Sequence, residues 1–403
     1  MSFPIGTVEE VAAPVKAAIA SGPFGSAIGR KFFVPEGVPV IRGNNLTLGK
    51  KRFIDGGFVF ITEEKAMKHR NCLVYPDDIV FTAVGSLGQV GIIPHHGKHS
   101  KYFISNKQMK LTPDKGRFNP LFLYYWFSSA AVRHHFVSSN RGAAVPLITL
   151  GVLKATPVPV PPLAIQNRIA AILSTYDDLL EVNTRRIAIL EELARRIFDE
   201  WFVWYRFPGG DGARPAEWEE VALKDAATNF DRLRKPLSKM VRADRPGPFP
   251  YYGAAKVFDY IDDFIFDGRY LLLAEDGSVI TPDGYPVLQL VDGKFWANNH
   301  THILQGKGRF TTGFLYLALS RYPVSGLITG AAQPKITQGN MNRMQLPGAP
   351  ADVHSAFERL VGPMLELVLV LQRQNANLRA QRDLLLPRLV SGLDIAEKEL
   401  AHA

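Results

Sequence analysis

Between positions 169 and 201 apolar side chains return every three or four residues, at Ile169, Ile172, Tyr176, Leu179, Asn183, Ile187, Leu190, Ala194, Ile197 and Trp201. Such a period draws one stripe along a long helix, and Arg185, Arg186, Glu191, Glu192, Arg195 and Arg196 take the opposite face. Adding 188 to each position gives Phe357, Leu360, Met364, Leu367, Leu371, Asn375, Leu378, Arg382, Leu385 and Leu389, a second stripe of the same spacing. A proline-bearing boundary introduces each stretch, at residues 157–162 and 346–350, because proline starts a helix more readily than it continues one. Before each helix the pattern shortens to brief β-rich runs bounded by Gly, Asn and Asp. Strands are predicted at residues 58–62, 78–82 and 89–93, with counterparts at 270–274, 286–290 and 302–304.

The order globular unit, helix, globular unit, helix is matched by an internal repeat. Lys115-Gly116-Arg117-Phe118 returns as Lys307-Gly308-Arg309-Phe310, Phe122-Leu123-Tyr124 as Phe314-Leu315-Tyr316, and Gly85-Ser86 as Gly277-Ser278, all 192 residues on. Residues 143–151 match 331–339 with six identities at an offset of 188. Four matches in order and in register point to a duplicated chain.

Composition narrows the class. The 403 residues suit two or three domains, since roughly 150 residues make one. With 46% hydrophobic and 21% charged residues the chain reads as globular and well able to bury a core. The single cysteine, Cys72, excludes an intramolecular disulfide and a cysteine-based zinc site, and a buried apolar role is expected of it. No basic segment followed by an unbroken apolar run opens the chain, and the longest strongly apolar piece, residues 364–371, is far short of the about 20 residues that span a bilayer. A cytoplasmic protein without membrane attachment is expected. Net charge is +9, and all of that excess lies in residues 1–150, with 18 Lys/Arg against 9 Asp/Glu; residues 207–350 hold 16 against 15. A cationic surface attracts polyanions by counterion release, which raises nucleic acid as a partner without deciding it.

Catalytic and metal constellations do not assemble. His95, His96 and His99, or His134 and His135, lack an acidic or cysteine partner at ligand spacing. Gly306-Lys307-Gly308 lacks the rest of a phosphate loop, and Asn119-Pro120-Leu121-Phe122 lacks both the second proline and the glycine-rich loop of an adenine methyltransferase. The acidic pairs Asp77-Asp78 and Glu275-Asp276 have no downstream Glu-x-Lys of a nuclease. An autonomous DNA-modifying enzyme with unrecognised motifs stays open as the alternative. Features suited to DNA are more numerous. Arg42, Asn44 and Asn45 set a cation and two amides around a glycine, a combination that reads guanine and adenine edges. Arg232, Arg234 and Lys235 begin a basic run suited to phosphates, and Tyr251, Tyr252, Asn298, Asn299 and His300 add base-edge capacity. The candidate DNA-contacting set also takes in Gly85, Ser86, Lys107, Arg141, Gly277, Ser278 and Lys335.

These pieces together resemble the specificity (S) subunits of type I restriction-modification systems. The resemblance is carried by residues 21–26 (SGPFGS), 37–46 (GVPVIRGNNL) and 161–170 (PPLAIQNRIA), and by 251–254 (YYGA), 293–300 (GKFWANNH) and 385–392 (LLPRLVSG) in the second half. It departs at the second helix entrance, where Ala351-Asp352-Val353-His354 replaces an apolar-x-x-Gln start.

The resemblance implies an α+β fold with two similar target-recognition domains. Each has a bent β-rich core, and two long antiparallel coiled-coil-like helices join them in a pseudo-two-fold arrangement. The divisions are residues 1–156 for the first domain, 157–206 for a central spacer helix, 207–346 for the second domain, and 347–403 for a C-terminal spacer helix and tail. A non-catalytic subunit is implied that reads a bipartite asymmetric sequence on double-stranded DNA. Two modification subunits would supply adenine methylation and restriction subunits the cleavage. No cofactor is implied in this chain; S-adenosylmethionine, ATP and Mg belong to the partners. Helices of about 40 residues, about 60 Å long, would set the distance between the two parts of the target.

Two finer expectations follow. Arg185, Arg186, Glu191, Glu192 and Phe198, with positions near Asn377, Arg379 and Leu386, lie off the stripe and are expected to dock modification subunits. If the helices run antiparallel about a centre near residue 185, Asn183 meets Asn375 and a buried amide pair fixes register. Otherwise both side chains reach solvent at a gap in the packing.

Overall fold

The computed structural model describes residues 3–142, 144–330 and 333–392. The chain forms two compact units, residues 1–181 with 376–403, and residues 182–375. Each unit therefore takes a length of each long helix.

Unit 1 is built on two four-stranded sheets. One runs in the order β2 (Ile19–Ser21), β9 (Gln108–Leu111), β6 (Ile79–Thr82), β7 (Val90–Ile92), and the other β4 (Val59–Ile61), β3 (Val38–Ile41), β8 (Tyr102–Ile104), β5 (Leu73–Val74). A short antiparallel pair, β1 (Ile5–Thr7) with β10 (Pro157–Pro159), closes the unit. The helix α1 (Pro120–Ser128) starts at Asn119, whose side chain caps Leu121 and Phe122, and buries Phe122, Leu123, Tyr124, Tyr125 and Phe127 against the first sheet. The predicted strands at 58–62, 78–82 and 89–93 are β4, β6 and β7. Cys72 is buried, and burial pushes its thiol up to about 11, which keeps it inert.

Unit 2 merges the same plan into one six-stranded sheet, β12 (Ala227–Asn229), β17 (Thr301–Gly306), β15 (Phe266–Ala274), β16 (Leu288–Ala297), β13 (Pro246–Tyr252), β14 (Val257–Ile261). The long strands β15 and β16 stand where unit 1 has β5 then β6, and β7 then β8. They bend at Gly268 and Gly293, which face each other in register with φ of 123° and 90°. A short antiparallel pair, β18 (Ile328–Thr329) with β19 (Lys335–Ile336), carries Lys335. β11 (Glu219–Ala222) pairs with β20 (Gln345–Gly348) as β1 does with β10. The helix α3 (Thr312–Ser320) repeats α1 over the sheet, in the core that holds Phe314, Leu315, Leu317 and Leu319.

The long helices are α2 (Leu163–Phe198) and α4 (Ala351–Ser391). Within unit 1, Tyr176 meets Gln381 and the Arg382 guanidinium donates to Asp177 at 2.7 Å. Within unit 2, buried Asn183 donates from Nδ2 to Asn375 Oδ1 at 3.1 Å, and Phe198 packs on Phe357. From the first of these unit 2 pairs to the second, numbers rise along α2 and fall along α4, so the helices are antiparallel, and the asparagines meet as their positions require.

The buried stripe departs from the expected one. Ile172 and Leu179 are exposed, whereas Leu173 and Leu180 are buried, and in α4 Leu360 is exposed beside buried Val361. A helix that packs on its β core as well as on a second helix buries a broader, rotated face than a two-helix seam. For the same reason Phe198 is no docking residue: it is buried against Phe202, Phe314 and Phe357. Leu386 packs on the unit 1 core, and Glu191 is turned toward the Tyr316 hydroxyl. No helix among the described residues is long and apolar enough to cross a membrane.

Candidate nucleic-acid interface

Strand β3 runs parallel to β8, with Val40 opposite Phe103 and Ile41 opposite Ile104, so both strands deliver their following turns to the same edge. One turn carries Arg42, Gly43 and Asn44; the other carries Ser105, Asn106 and Lys107. The segment after β6 brings Gly85, Ser86 and Gln89 to meet them. The three enclose a cleft of about 600 Å³ lined by two cations, Arg42 and Lys107, four carboxamides, Asn44, Gln89, Asn106 and Gln108, and the hydroxyls of Thr82, Ser86 and Ser105. No carboxylate lines it. A concave site with donors, amides and positive charge suits a polyanion with base edges.

Arg42 Nη2 donates to the Gly57 carbonyl at 3.2 Å, while its Nε is buried with no hydrogen-bond partner among the described residues. Asn44 and Ser86 are exposed, as is Lys107. Gly85 adopts φ 101°, a left-handed conformation that any side chain would strain. Asn45 does not belong with these. It is buried, donates to Ile54 and Gly56 carbonyls at 3.0 and 2.8 Å and accepts from Arg42 N, so it shapes the turn and has no edge left for a base. Arg141 lies exposed on the neighbouring loop, outside the cleft lining.

In unit 2 the corresponding edge gathers exposed Gly277, Ser278 and Asn299 around part-exposed His300 and Lys335. His300 Nδ1 lies 2.5 Å from Asp276, and Lys335 Nζ lies 2.9 Å from Glu275. Arg234 turns inward, contrary to a phosphate role: it donates to Glu275 at 2.5 Å and to the Thr301 carbonyl at 2.9 Å. A guanidinium committed to a buried carboxylate is unavailable to DNA. Tyr251 is also buried, its hydroxyl accepting from Leu237 N at 2.9 Å, and Asn298 is buried with Oδ1 accepting from His300 N. Tyr252 is half-buried edge-on to Phe295. Arg232 and Lys235 are exposed.

Asp231, Glu275 and His302 bring donor atoms within 4.8 Å of one another. Their charges are already matched by Arg234 and Lys335. Burial raises the cost of both charges, yet the bond from His302 holds the Asp231 carboxyl below its usual range, and those from Arg234 and Lys335 do the same for Glu275. This is a neutralised core cluster that supports the Asn299 and Lys335 loops.

The two edges share one backbone. Gly85 N donates to the Pro146 carbonyl at 2.9 Å and Gly277 N to Pro334 at 3.1 Å; Ile148 N donates to Ala83 at 3.0 Å and Ile336 N to Glu275 at 2.8 Å. Gly277 repeats the positive φ at 78°. Side chains at matched places differ: Ala83, Val84 and Leu147 in unit 1 correspond to Glu275, Asp276 and Lys335 in unit 2. Strand pairing of β6 with β9 and of β15 with β17 also matches Asn106 to Asn299. Sequence reading missed Asn106, Gln108 and Gln89 as cleft residues. The repeat offset of 192 links Asn106 to Asn298, and one extra residue in the second turn hides the true match.

A family model described as the type I restriction modification DNA specificity domain matches residues 30–192 and 215–351. A putative type I restriction enzyme specificity subunit of Haemophilus influenzae is 31% identical over 151 residues, 38% of this chain and 38% of that relative's length. The type I restriction enzyme MjaIX specificity subunit of Methanocaldococcus jannaschii is 24% identical over 379 residues, 88% of this chain and 86% of the relative. The crystal structure of a type I restriction-modification system S subunit from M. genitalium aligns over 97% of this chain and 96% of that one, with a TM-score of 0.61 and 15% identity, a likeness of fold.

Proposed function

Because the chain belongs to the family of type I restriction modification DNA specificity domains, we propose that it reads a two-part DNA sequence, one part with each unit, and directs partner subunits to it. The observation that carries this reading is the shared loop scaffold with exchanged side chains. The same main-chain bonds hold both edges, while unit 1 presents an acid-free cationic cleft and unit 2 a mixed edge of Asn299, His300 and Lys335. Identical frames with different chemistry suit two different base sequences.

In this reading the chain has no catalytic residue and no cofactor of its own. Two modification subunits bring S-adenosylmethionine for adenine methylation, and restriction subunits bring ATP and Mg for cleavage. Partner subunits dock on the outer face of α2. In unit 1 Ile172 and Leu179 stand seven residues apart in solvent; in unit 2 Val182 and Ile189 repeat that spacing, with Ile189 66% exposed. Apolar side chains left in solvent at heptad spacing suit a further helix better than water. Docking therefore uses apolar positions beside Arg185 and Arg186 more than the charges themselves.

The test is to replace residues 1–150 with the equivalent part of a relative and sequence the methylome of a host that carries the chain with its modification subunit. One half of the methylated motif is expected to change. A change in both halves, or in neither, refutes division of the target between the units.

A further inference from the structure

We infer that Gln89 is the adenine-reading side chain of the unit 1 cleft, held in its reading orientation by Thr82. This deepens the proposal above and rests on the cleft facing DNA. Gln89 ends the turn that begins at Gly85, and its backbone is tied on both sides, N to Ser86 O at 3.4 Å and O to Thr82 N at 3.0 Å. Its side chain is tied as well, since the buried Thr82 hydroxyl donates to Oε1 at 3.1 Å. Opposite it stands Gly43, where an added Cβ would come within 3.6 Å of the same oxygen, so the amide lies against the turn between Arg42 and Asn44.

The other amides of the cleft are spent or unfixed. Asn44 Nδ2 is directed at the Gly57 carbonyl at 3.5 Å, and Gln108 is buried with its Oε1 accepting from Ser105. Asn106 is exposed at a turn tip. Gln89 alone among them combines a fixed side chain with open capacity: Nε2 keeps its donors, and Oε1 keeps a second lone pair. A donor beside an acceptor matches adenine, which offers N7 as acceptor and N6–H as donor in the major groove. Guanine presents acceptors at both places and leaves Oε1 facing O6. Arg42 and Lys107, the cleft's cations, suit guanine or phosphate instead. Gln89 thus specifies adenine at one position, and Thr82 acts as its positioning residue.

The experiment selects from a random duplex pool with the full chain in its methyltransferase complex, comparing wild type, Gln89→Ala, Gln89→Glu and Lys107→Ala. Gln89→Ala is expected to lower the preference for adenine at a single position by about 5- to 150-fold, leaving the other half of the motif intact. Gln89→Glu, of equal size, is expected to move that position toward cytosine, whose N4 donates to a carboxylate. An unchanged motif in both Gln89 variants overturns the adenine assignment, as does loss of all binding by a folded Gln89→Ala with no new preference in Gln89→Glu. Lys107→Ala separates the two levels of the argument. If it weakens binding to all sequences while the Gln89 variants change nothing, only the adenine assignment falls; if it too changes nothing, the cleft is not the DNA surface.

Discussion

At the entrance of α4 the buried His354 ring is boxed by Phe202, Phe310 and Phe314, with ring centroids 5.3, 4.9 and 4.6 Å away. Its Nε2 accepts from Ala349 N at 3.3 Å. Gln166 fills the same place in unit 1, donating to the Pro161 carbonyl at 2.8 Å, so the odd helix start at residues 351–354 is a histidine standing in for a glutamine. Burial first, and the nearby Arg309 charge second, lower the His354 pKa from 6.5 to about 4. Between those values the unfolded chain takes up a proton that the folded chain refuses. Stability present above the unfolded value is therefore lost as pH falls through it, and the loss levels off only near the folded value. At 1.36 kcal/mol per unit the loss is about 2 kcal/mol at pH 5 and about 3.4 kcal/mol over the whole window. Four of the five tryptophans, Trp201, Trp204, Trp218 and Trp296, lie in unit 2, so tryptophan emission during urea unfolding reports chiefly on that unit. His354→Gln is expected to be the less pH-sensitive protein by about 2 kcal/mol between pH 8 and pH 5. Parallel pH profiles for the two proteins refute the assignment of a neutral buried ring.

Asn183→Leu alone is expected to cost about 1–3 kcal/mol by leaving the Asn375 amide buried without its partner. Combining Asn183→Leu with Asn375→Leu regains most of it; urea midpoints that add without coupling refute the pairing. Arg234→Ala is expected to destabilise unit 2 by about 3–5 kcal/mol, because Glu275 and Asp231 lose a buried counter-charge, with the salt dependence of DNA binding unchanged. Weaker binding to every sequence at constant stability returns Arg234 to a phosphate contact. Asp231 and Glu275, both held below ordinary carboxylate values, add stability that is present above about pH 4 and lost on further acidification; Glu275→Gln is expected to flatten that acid limb in the same fluorescence assay. Ile189→Asp is expected to reduce co-purification with the modification subunit while unit 2 still unfolds at the wild-type urea midpoint, and unchanged assembly moves the interface off α2.

Element existence and repeat were legible because both are written in periodicity. The predicted strands all appear, and the asparagine meeting followed from two offsets and an antiparallel arrangement. The buried face of α2 was less legible: Leu173 and Leu180 carry it because that helix also covers a β core, which a one-dimensional stripe does not encode. The site divided in the same way. Arg42, Asn44, Gly85, Ser86 and Lys107 converge on one cleft, but residue type alone does not distinguish an amide that shapes a turn, as at Asn45, from one that faces outward, as at Asn44. Arg234 sits in a basic run yet serves an acid 41 residues away, Glu275, whose partner only the sheet brings near. Gln89 was hidden because the expected strand took it in as a first residue, whereas it closes the turn just before β7, and a strand position gave no reason to look at its side chain.

The bonds from Gly85 to Pro146 and from Gly277 to Pro334 involve only main-chain atoms. These two ties need no particular side chain, so Ala83 and Glu275 occupy one frame with opposite chemistry, although in unit 2 the bonds of Arg234 and Lys335 to Glu275 and of His300 to Asp276 add to the main-chain frame. A protein built this way can change what it recognises through single substitutions that the fold does not notice, and the two copies in one chain are free to drift apart. Duplication then yields two independently evolvable letters of an address in place of one palindrome.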